Sequence, residues 1–378
     1  MKVLIVGAGM GGLTLAAFLE RCKIEYDIVE KCPDWGHVGY LISMWDSGRD
    51  ILRKLGVAER FDAVSSRVRR YSLRRGDGTL IRDIDFSNID VGPGTPISVV
   101  SRCDLHELLR SAMQSSKIRM NCSIEAIENG ATSAHVKFTD GTSGTYDLVV
   151  GADGVHSKVR ELLFGGAVEV FEDWRVWYAW IDHEYDIPAT IAEYAEAGEF
   201  AAVFSNRKAT TAWFFAPATH GTWDAPEGRI KRLKEIFKDE QFLLPALEKL
   251  HDTDAVPSDL SSIRLTHWSR DRAVLIGDAA HCMGPYAGVG STLAMEDAYV
   301  LASEIARVSS QRTMRDALEE YEEHRKKRIR LARKASAISK FGMLIRSRSL
   351  RRIVDYATRY MPQRLIMRDM NTLLAEKI

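Results

Sequence analysis

The stretch Gly277-Asp278-Ala279-Ala280-His281-Cys282-Met283-Gly284-Pro285-Tyr286-Ala287-Gly288-Val289-Gly290 sets one carboxylate between an apolar run, Ala273 to Ile276, and a turn built on Pro285, Gly288 and Gly290. A carboxylate at the end of a buried strand suits a polyhydroxylated ligand, because hydroxyls can donate to a group that only accepts. A second arrangement of this kind opens the chain. Gly7-x-Gly9-x-x-Gly12 follows the apolar run Val3, Leu4, Ile5, Val6 and precedes residues 13 to 21, which read as a helix. Glycines at this spacing allow a tight turn, close approach to a pyrophosphate and close helix packing, while the helix start offers free N–H groups to an anion. Glu30 stands about twenty residues further on, where a ribose would find an acceptor, with Lys31 beside it. The expected ligand is a dinucleotide, and this fingerprint alone does not separate NAD from FAD.

Other residues invite chemistry and need weighing. Asp153 and Gly154 follow the run Leu148-Val149-Val150, and Arg102 precedes a helix expected from Asp104 to Met113. Histidine is the usual acid or base near neutrality, which invites a catalytic reading of His281. The adjacency of His156 and Ser157 makes no hydrolase triad, since a triad is defined by geometry rather than by neighbouring positions.

These residues need elements to hold them. Residues 3–6, 13–21 and 26–29 form a βαβ unit. Residues 67–86 alternate polar and apolar positions around Gly76-Asp77-Gly78 and read as a hairpin. A loop at Gly92-Pro93-Gly94 and a strand from Ile97 to Val100 follow. Residues 134–150 read as another hairpin turning at Asp140-Gly141. Between 170 and 216 aromatic residues crowd into β-like runs, either as core or as one wall of a pocket for a flat molecule. Because side chains alternate along a strand, only some can face a ligand. The candidates are Trp177, Trp180, Phe204, Trp213 and Phe215, with Tyr286 from the late turn. Residues 227–250 read as helical, as do Ser291 to Arg307 and the strongly basic stretch beyond Met314.

Composition narrows the class. Fifty-two basic residues balance fifty-two acidic ones, so no global field argues for nucleic acid. The five cysteines are scattered without a C-x-x-C pair, which points to reduced thiols in a cytoplasmic protein without a metal site. No apolar run approaches the ~18 residues of a membrane span. Lys and Arg between residues 324 and 365 outnumber a single acid, Asp355, in a basic amphipathic pattern. Its readings are a packed C-terminal helix with solvated charges or a weak contact with anionic membranes.

Three motifs in order, GAGMGG at 7–12, GADGVHSKVR at 151–160 and GDAAHCMGPYAGVGSTLAMEDA at 277–298, make the chain resemble the FAD-dependent aromatic hydroxylases, the single-component flavoprotein monooxygenases related to p-hydroxybenzoate hydroxylase. Residues 39–56 add a shorter likeness to the tetracycline-inactivating branch, weakened by Ile42 where that branch leads one to expect an acid. The resemblance implies an α/β fold: a Rossmann-like FAD-binding domain with a mostly parallel sheet, an inserted antiparallel-sheet substrate domain and a C-terminal helix. The implied boundaries are 1–70, 97–165 and 265–310 for FAD, 71–96 and 166–264 for substrate, and 311–378 for the helical end.

The resemblance also implies roles. Asp278 would bond the ribityl chain, and Asp153 and Gly154 would serve the pyrophosphate region. Arg102 would act against FAD, and His281 would stand beside the cofactor without proton-transfer duty. Pro285, Gly288, Gly290, Ser291 and Thr292 would bring backbone and a helix start to the isoalloxazine ring. NADH or NADPH would reduce FAD, O2 would form a C4a-hydroperoxide, and an aromatic or polycyclic small molecule would be hydroxylated, with no side chain indispensable to the chemistry. Alternatives are a flavin-dependent reductase that makes no productive use of O2 and a membrane-surface quinone- or isoprenoid-modifying flavoprotein. The W-x-W-x-I-P pattern of flavin halogenases is absent, since residues 177–181 read WYAWI.

Overall fold

Val3, Leu4 and Ile5 are fully buried, which explains a first strand that is apolar at successive positions: it has protein on both faces. In the computed structural model, which describes residues 1–35, 39–86, 96–114, 118–165, 168–182, 190–366 and 372, this strand lies inside a six-stranded sheet. The order is Ser269–Arg270, Ala273–Leu275, Leu148–Gly151, Lys2–Val6, Glu25–Val29, Ile118–Arg119. All neighbours run parallel except the first two. The loop expected at Gly92-Pro93-Gly94 lies outside the described residues.

Helix Met10–Arg21 follows the first strand and packs along helix Gly290–Ile305. The contact is close because Gly11 has no side chain: a Cβ there would lie 3.3 Å from the Ala294 carbonyl oxygen. The two helices therefore start side by side, at the same end of the sheet.

The expected hairpins are present. Ala134–Phe138 pairs antiparallel with Ser143–Tyr146, and Arg70–Arg74 with Leu80–Asp85. The second hairpin continues into a seven-stranded sheet, ordered Val256–Arg264, Val168–Ile181, Thr210–Pro217, Phe200–Ser205, Thr190–Ala195, Arg70–Arg74, Leu80–Asp85. Strands Leu41–Trp45, Ile97–Ser101 and Ser66–Arg67 form a small antiparallel sheet whose buried residues join the main core.

The seven-stranded sheet is not wholly antiparallel as expected, since Thr190–Ala195 runs parallel to Arg70–Arg74, and it has two apolar faces. One joins the main core. The other, carrying Trp177, Ala192, Tyr194, Ala201, Val203 and Phe214, is covered by helices Arg229–Ile236 and Leu244–Glu248. Residues 227–250, read as helical, hold two helices, and Pro245 sits in the first turn of the second, where its missing N–H has no intrahelical partner to lose.

Two further long helices follow, with a short one, Gln363–Ile366, after them. Met314–Met343 starts at a capping box, in which Thr313 and Asp316 satisfy each other's backbone N–H groups, and Arg348–Tyr360 lies against strand Leu80–Asp85. Among the described residues no helix is long and apolar enough to cross a membrane.

Candidate active site

Three adjacent parallel strands end at one cleft. Gly9 follows Lys2–Val6, Gly154 follows Leu148–Gly151, and Gly277 with Asp278 follows Ala273–Leu275, and all four line it. The carboxyl ends of parallel strands are where open α/β sheets hold ligands. The cleft holds about 430 Å3, within the ~300–1,000 Å3 range of small-molecule pockets. A larger groove of about 1020 Å3, lined by Arg270, Arg272, Glu319, Glu323 and Arg330, contains none of the glycine turns. Its lining, which includes Met314 and Leu318, carries none of the stacked aromatic side chains found in the cleft.

Gly7 and Gly12 shape the first turn without lining the cleft. Gly7 has a φ of 102°, and a Cβ on Gly12 would lie 2.0 Å from the Gly7 carbonyl oxygen, so any larger residue at position 12 breaks the turn. Glu30 clamps this turn: its carboxylate accepts the Ala8 N–H at 2.8 Å and the Cys32 N–H at 3.0 Å. A carboxylate has about four acceptor sites, so capacity remains for a ligand hydroxyl. Lys31 is exposed and does not line the cleft.

Over Gly9, Gly154 and Gly290 a Cβ would meet nothing within 4 Å. Three bare stretches of backbone thus face open space in one cleft, which is the cradle a dinucleotide requires. The helices starting at Met10 and Gly290 bring their positive ends to it. Asp278 and Arg102 are exposed to the cleft, and neither side chain has a hydrogen-bond or ion-pair partner among the described residues. Burial by the surrounding protein pushes the Asp278 carboxyl up. A long, polar, anionic ligand with hydroxyl groups fits these donors and acceptors, and FAD is such a ligand.

Two residues use their side chains elsewhere. Asp153 turns to helix Lys158–Phe164, where one oxygen accepts the Lys158 N–H at 2.7 Å and the Val159 N–H at 3.2 Å. The other oxygen is buried without a partner. Thr292 is buried, and its hydroxyl accepts the Trp45 N–H at 3.1 Å. Gly154 and Ser291, their neighbours, reach the cleft instead.

The late turn is held from behind by groups the sequence reading missed. Asp297 accepts the Gly277 N–H at 2.7 Å, contacts His281 Nε2 at 2.6 Å and pairs with Arg325 at 2.6 Å, all fully buried. Arg325 and Arg328 also pair with Glu296. Burial would push the Asp297 carboxyl up, but the His281 and Arg325 charges outweigh it and hold the carboxyl down. His281 is therefore a strut of the turn. Arg160 ties two motifs together by donating to the carbonyls of Ala279 and Val155. On the open side, Ser43 Oγ and Trp45 Nε1 both donate to the Gly288 carbonyl, at 2.9 and 3.1 Å. The turn through Pro285, Gly288 and Gly290 is fixed at both ends, and all three residues line the cleft.

Opposite the glycines stands an aromatic wall. Trp213 lines the cleft with Tyr178 and Tyr40, which stack at 4.1 Å and 7°, and Trp213 meets both edge-on. Tyr40 and Tyr178 were not among the aromatic candidates, although Tyr178 shares the alternation of Trp180. Trp177 faces the other side of the sheet and bonds Asp224 through its indole N–H, because adjacent strand residues point to opposite faces. Trp180 is an exposed residue outside the lining, Phe204 and Phe215 back Trp213 from the core, and Tyr286 is buried beneath the Lys340 ammonium.

Register extends the wall. Tyr178, Trp213, Ala202 and Glu193 are consecutive cross-strand partners and share one face. Trp213 is nearly buried with its indole nitrogen unpartnered. Burial pushes the Glu193 carboxyl up to about 8, opposed by its hydrogen bond with Tyr71, so it is largely a neutral acid at pH 7.

Residues 1–336 match the model of the FAD binding domain family. The chain is 29% identical over 305 residues to the aurachin C monooxygenase/isomerase of Stigmatella aurantiaca, covering 80% of each chain. It is 30% identical over 338 residues to the flavin-dependent monooxygenase eupH of a Phoma species, covering 81% of this chain and 77% of eupH. Among solved structures, Klebsiella pneumoniae HpxO complexed with FAD and uric acid superposes with a TM-score of 0.88 at 23% identity, covering 99% of this chain and 96% of HpxO. With a family match over most of its length and its glycine turns gathered at one cleft, the chain belongs to the FAD-binding domain family, among its flavin-dependent monooxygenases.

Proposed function

We propose that this protein is an NAD(P)H-dependent monooxygenase that hydroxylates a flat aromatic or polycyclic small molecule against the Tyr178–Trp213 wall. The observation that carries the reading is the convergence of three Cβ-free backbone turns on one cleft that faces aromatic rings. Bound FAD supplies the redox chemistry, taking electrons from NADH or NADPH and delivering one atom of O2 to the substrate.

The chain's own residues bind and orient. The Gly7–Gly12 turn and the start of its helix take the pyrophosphate, with Arg102 and the backbone at Asp153 and Gly154 alongside. Glu30 takes a ribose hydroxyl, and Lys31 lies at that outer end. Asp278 accepts from the ribityl hydroxyls. Pro285, Gly288, Gly290, Ser291 and the backbone at Thr292 lie against the ring system, where the helix start favours negative charge. The unpartnered Trp213 N–H donates to a carbonyl or phenolate oxygen on the substrate rim. The uric acid bound by HpxO is a ring of this flat, oxygen-bearing kind. We assign the cofactor to segments 1–70, 97–165 and 265–310 and the substrate to 71–96 and 166–264. Five unpaired cysteines suit a reducing cytoplasm.

The test is a visible spectrum of the purified protein, then a screen of phenols, polyketides and quinones for stimulated NADH or NADPH consumption under labelled O2. Bound flavin and label in the product are expected. Turnover that proceeds equally without oxygen would replace the reading by a reductase.

A further inference from the structure

The amphipathic helix Arg348–Tyr360 is mounted inside out. Its inward stripe carries Arg351 and Asp355, both buried, which bond each other at 2.7 Å while Arg75 reaches Asp355 from the neighbouring sheet. Its outward stripe is apolar: Leu350, Ile353, Tyr356 and Tyr360 recur at helical spacing and are 39–70% exposed. Before and after it in the chain, Phe341 and Leu365 are 66% and 53% exposed. More than half of the exposed large apolar side chains among the described residues fall between 338 and 365. A surface helix in a globular protein normally turns such a stripe inward, so this one is built to be covered by something else.

Charge decides what covers it. Arg346, Arg348, Arg352 and Arg359 are exposed around the stripe, and Arg352 has no partner among the described residues. The segment's one acid, Asp355, is buried and neutralised, so the helix itself presents no carboxylate outward, and the acid that reaches its rim is Asp239, paired with Arg348. A second copy of this face would set arginine against arginine. An anionic bilayer offers both a counter-charge for the rim and an apolar phase for the stripe. We propose that helix Arg348–Tyr360, with Phe341 and Leu365 at its flanks, docks the protein on anionic membrane surfaces, lying in the interface without spanning it.

The experiment sediments the full-length protein with vesicles of phosphatidylcholine alone or with about one-third phosphatidylglycerol. The bound fraction should rise at least about tenfold with the anionic lipid and fall as salt is raised. Ile353→Glu with Tyr356→Glu should reduce anionic binding about tenfold. The circular dichroism and Tm of this double variant should stay unchanged, since both side chains are exposed. Wild-type protein that stays in the supernatant with both lipids, or binds both equally, would overturn the proposal. So would a dimer in sedimentation velocity that the double variant dissolves, because the occupant would then be a second copy.

Discussion

The two walls of the cleft are built on opposite plans. On the glycine side the polar groups behind the surface bond one another: Asp297, Glu296, Arg325, Arg328 and His281 hold the late turn, and what faces the cleft is bare backbone together with the Asp278 and Arg102 side chains. On the aromatic side Trp213 Nε1 is left unpartnered, and Glu193, bonded to Tyr71, stays uncharged in the same cross-strand row. A common cofactor can be met by backbone that is rigid in advance. A particular substrate is met by side chains, whose unmet hydrogen bonds discriminate against molecules that cannot supply them.

The sharpest way to break the contrast is Gly12→Val. The added side chain collides with the Gly7 carbonyl, so the purified variant should lose bound flavin almost entirely, read as the ratio of visible to ultraviolet absorbance. Arg325→Ala should come next. It strips the cation shared by two buried carboxylates, leaving Asp297 with His281 and Glu296 with Arg328; removing one partner of a buried pair costs about 3–5 kcal/mol, and both Tm and flavin content should fall.

Glu193→Gln tests the other wall. The native carboxyl titrates at about 8, whereas an unfolded one titrates near ~4.3, so between those values the native state holds a proton the unfolded chain has released. Stability from this group is therefore lost as pH rises through that window. The glutamine variant should match wild type near pH 4.5 and exceed it by roughly 2–4 kcal/mol near pH 8.5 in urea melts. The smallest effect belongs to Trp213→Phe, which removes one donor: KM for the substrate should rise about fivefold to thirtyfold with flavin content unchanged. Loss of flavin in that variant would erase the division between the walls.

The glycine wall was legible in the sequence because its chemistry depends on residues lacking a side chain, and no other residue type fits Gly7 or Gly12. Its braces were not. Arg325 lies far along the chain from Gly277, inside a basic run that reads equally well as a solvated face, and only packing reveals it as a buried partner of Asp297. Alternation limits which aromatic residues can share a face of the substrate sheet, but it does not choose the face. The register shift between Phe171 and Arg175 interrupts the long strand, and Trp177 and Tyr178 look equally eligible until the covering helices are seen to take the side of Trp177. The basic tail was visible as amphipathic, but burial of its Arg351–Asp355 pair was not.

Helix Met314–Met343 touches both surfaces at issue. Ser336 donates to the Gly284 carbonyl at 3.3 Å and Lys340 sits over the Tyr286 ring, while Ile338 and Phe341 of the same turns are exposed. A helix with its side chains is about 10–12 Å across, so where that outer side rests on lipid, only one helix thickness separates the hydrocarbon from the Gly284 side of the cleft. A sparingly soluble ring compound stored in the leaflet would reach it by a short lateral step, and the rate of turnover would follow how much of it the leaflet holds rather than how much the surrounding water dissolves.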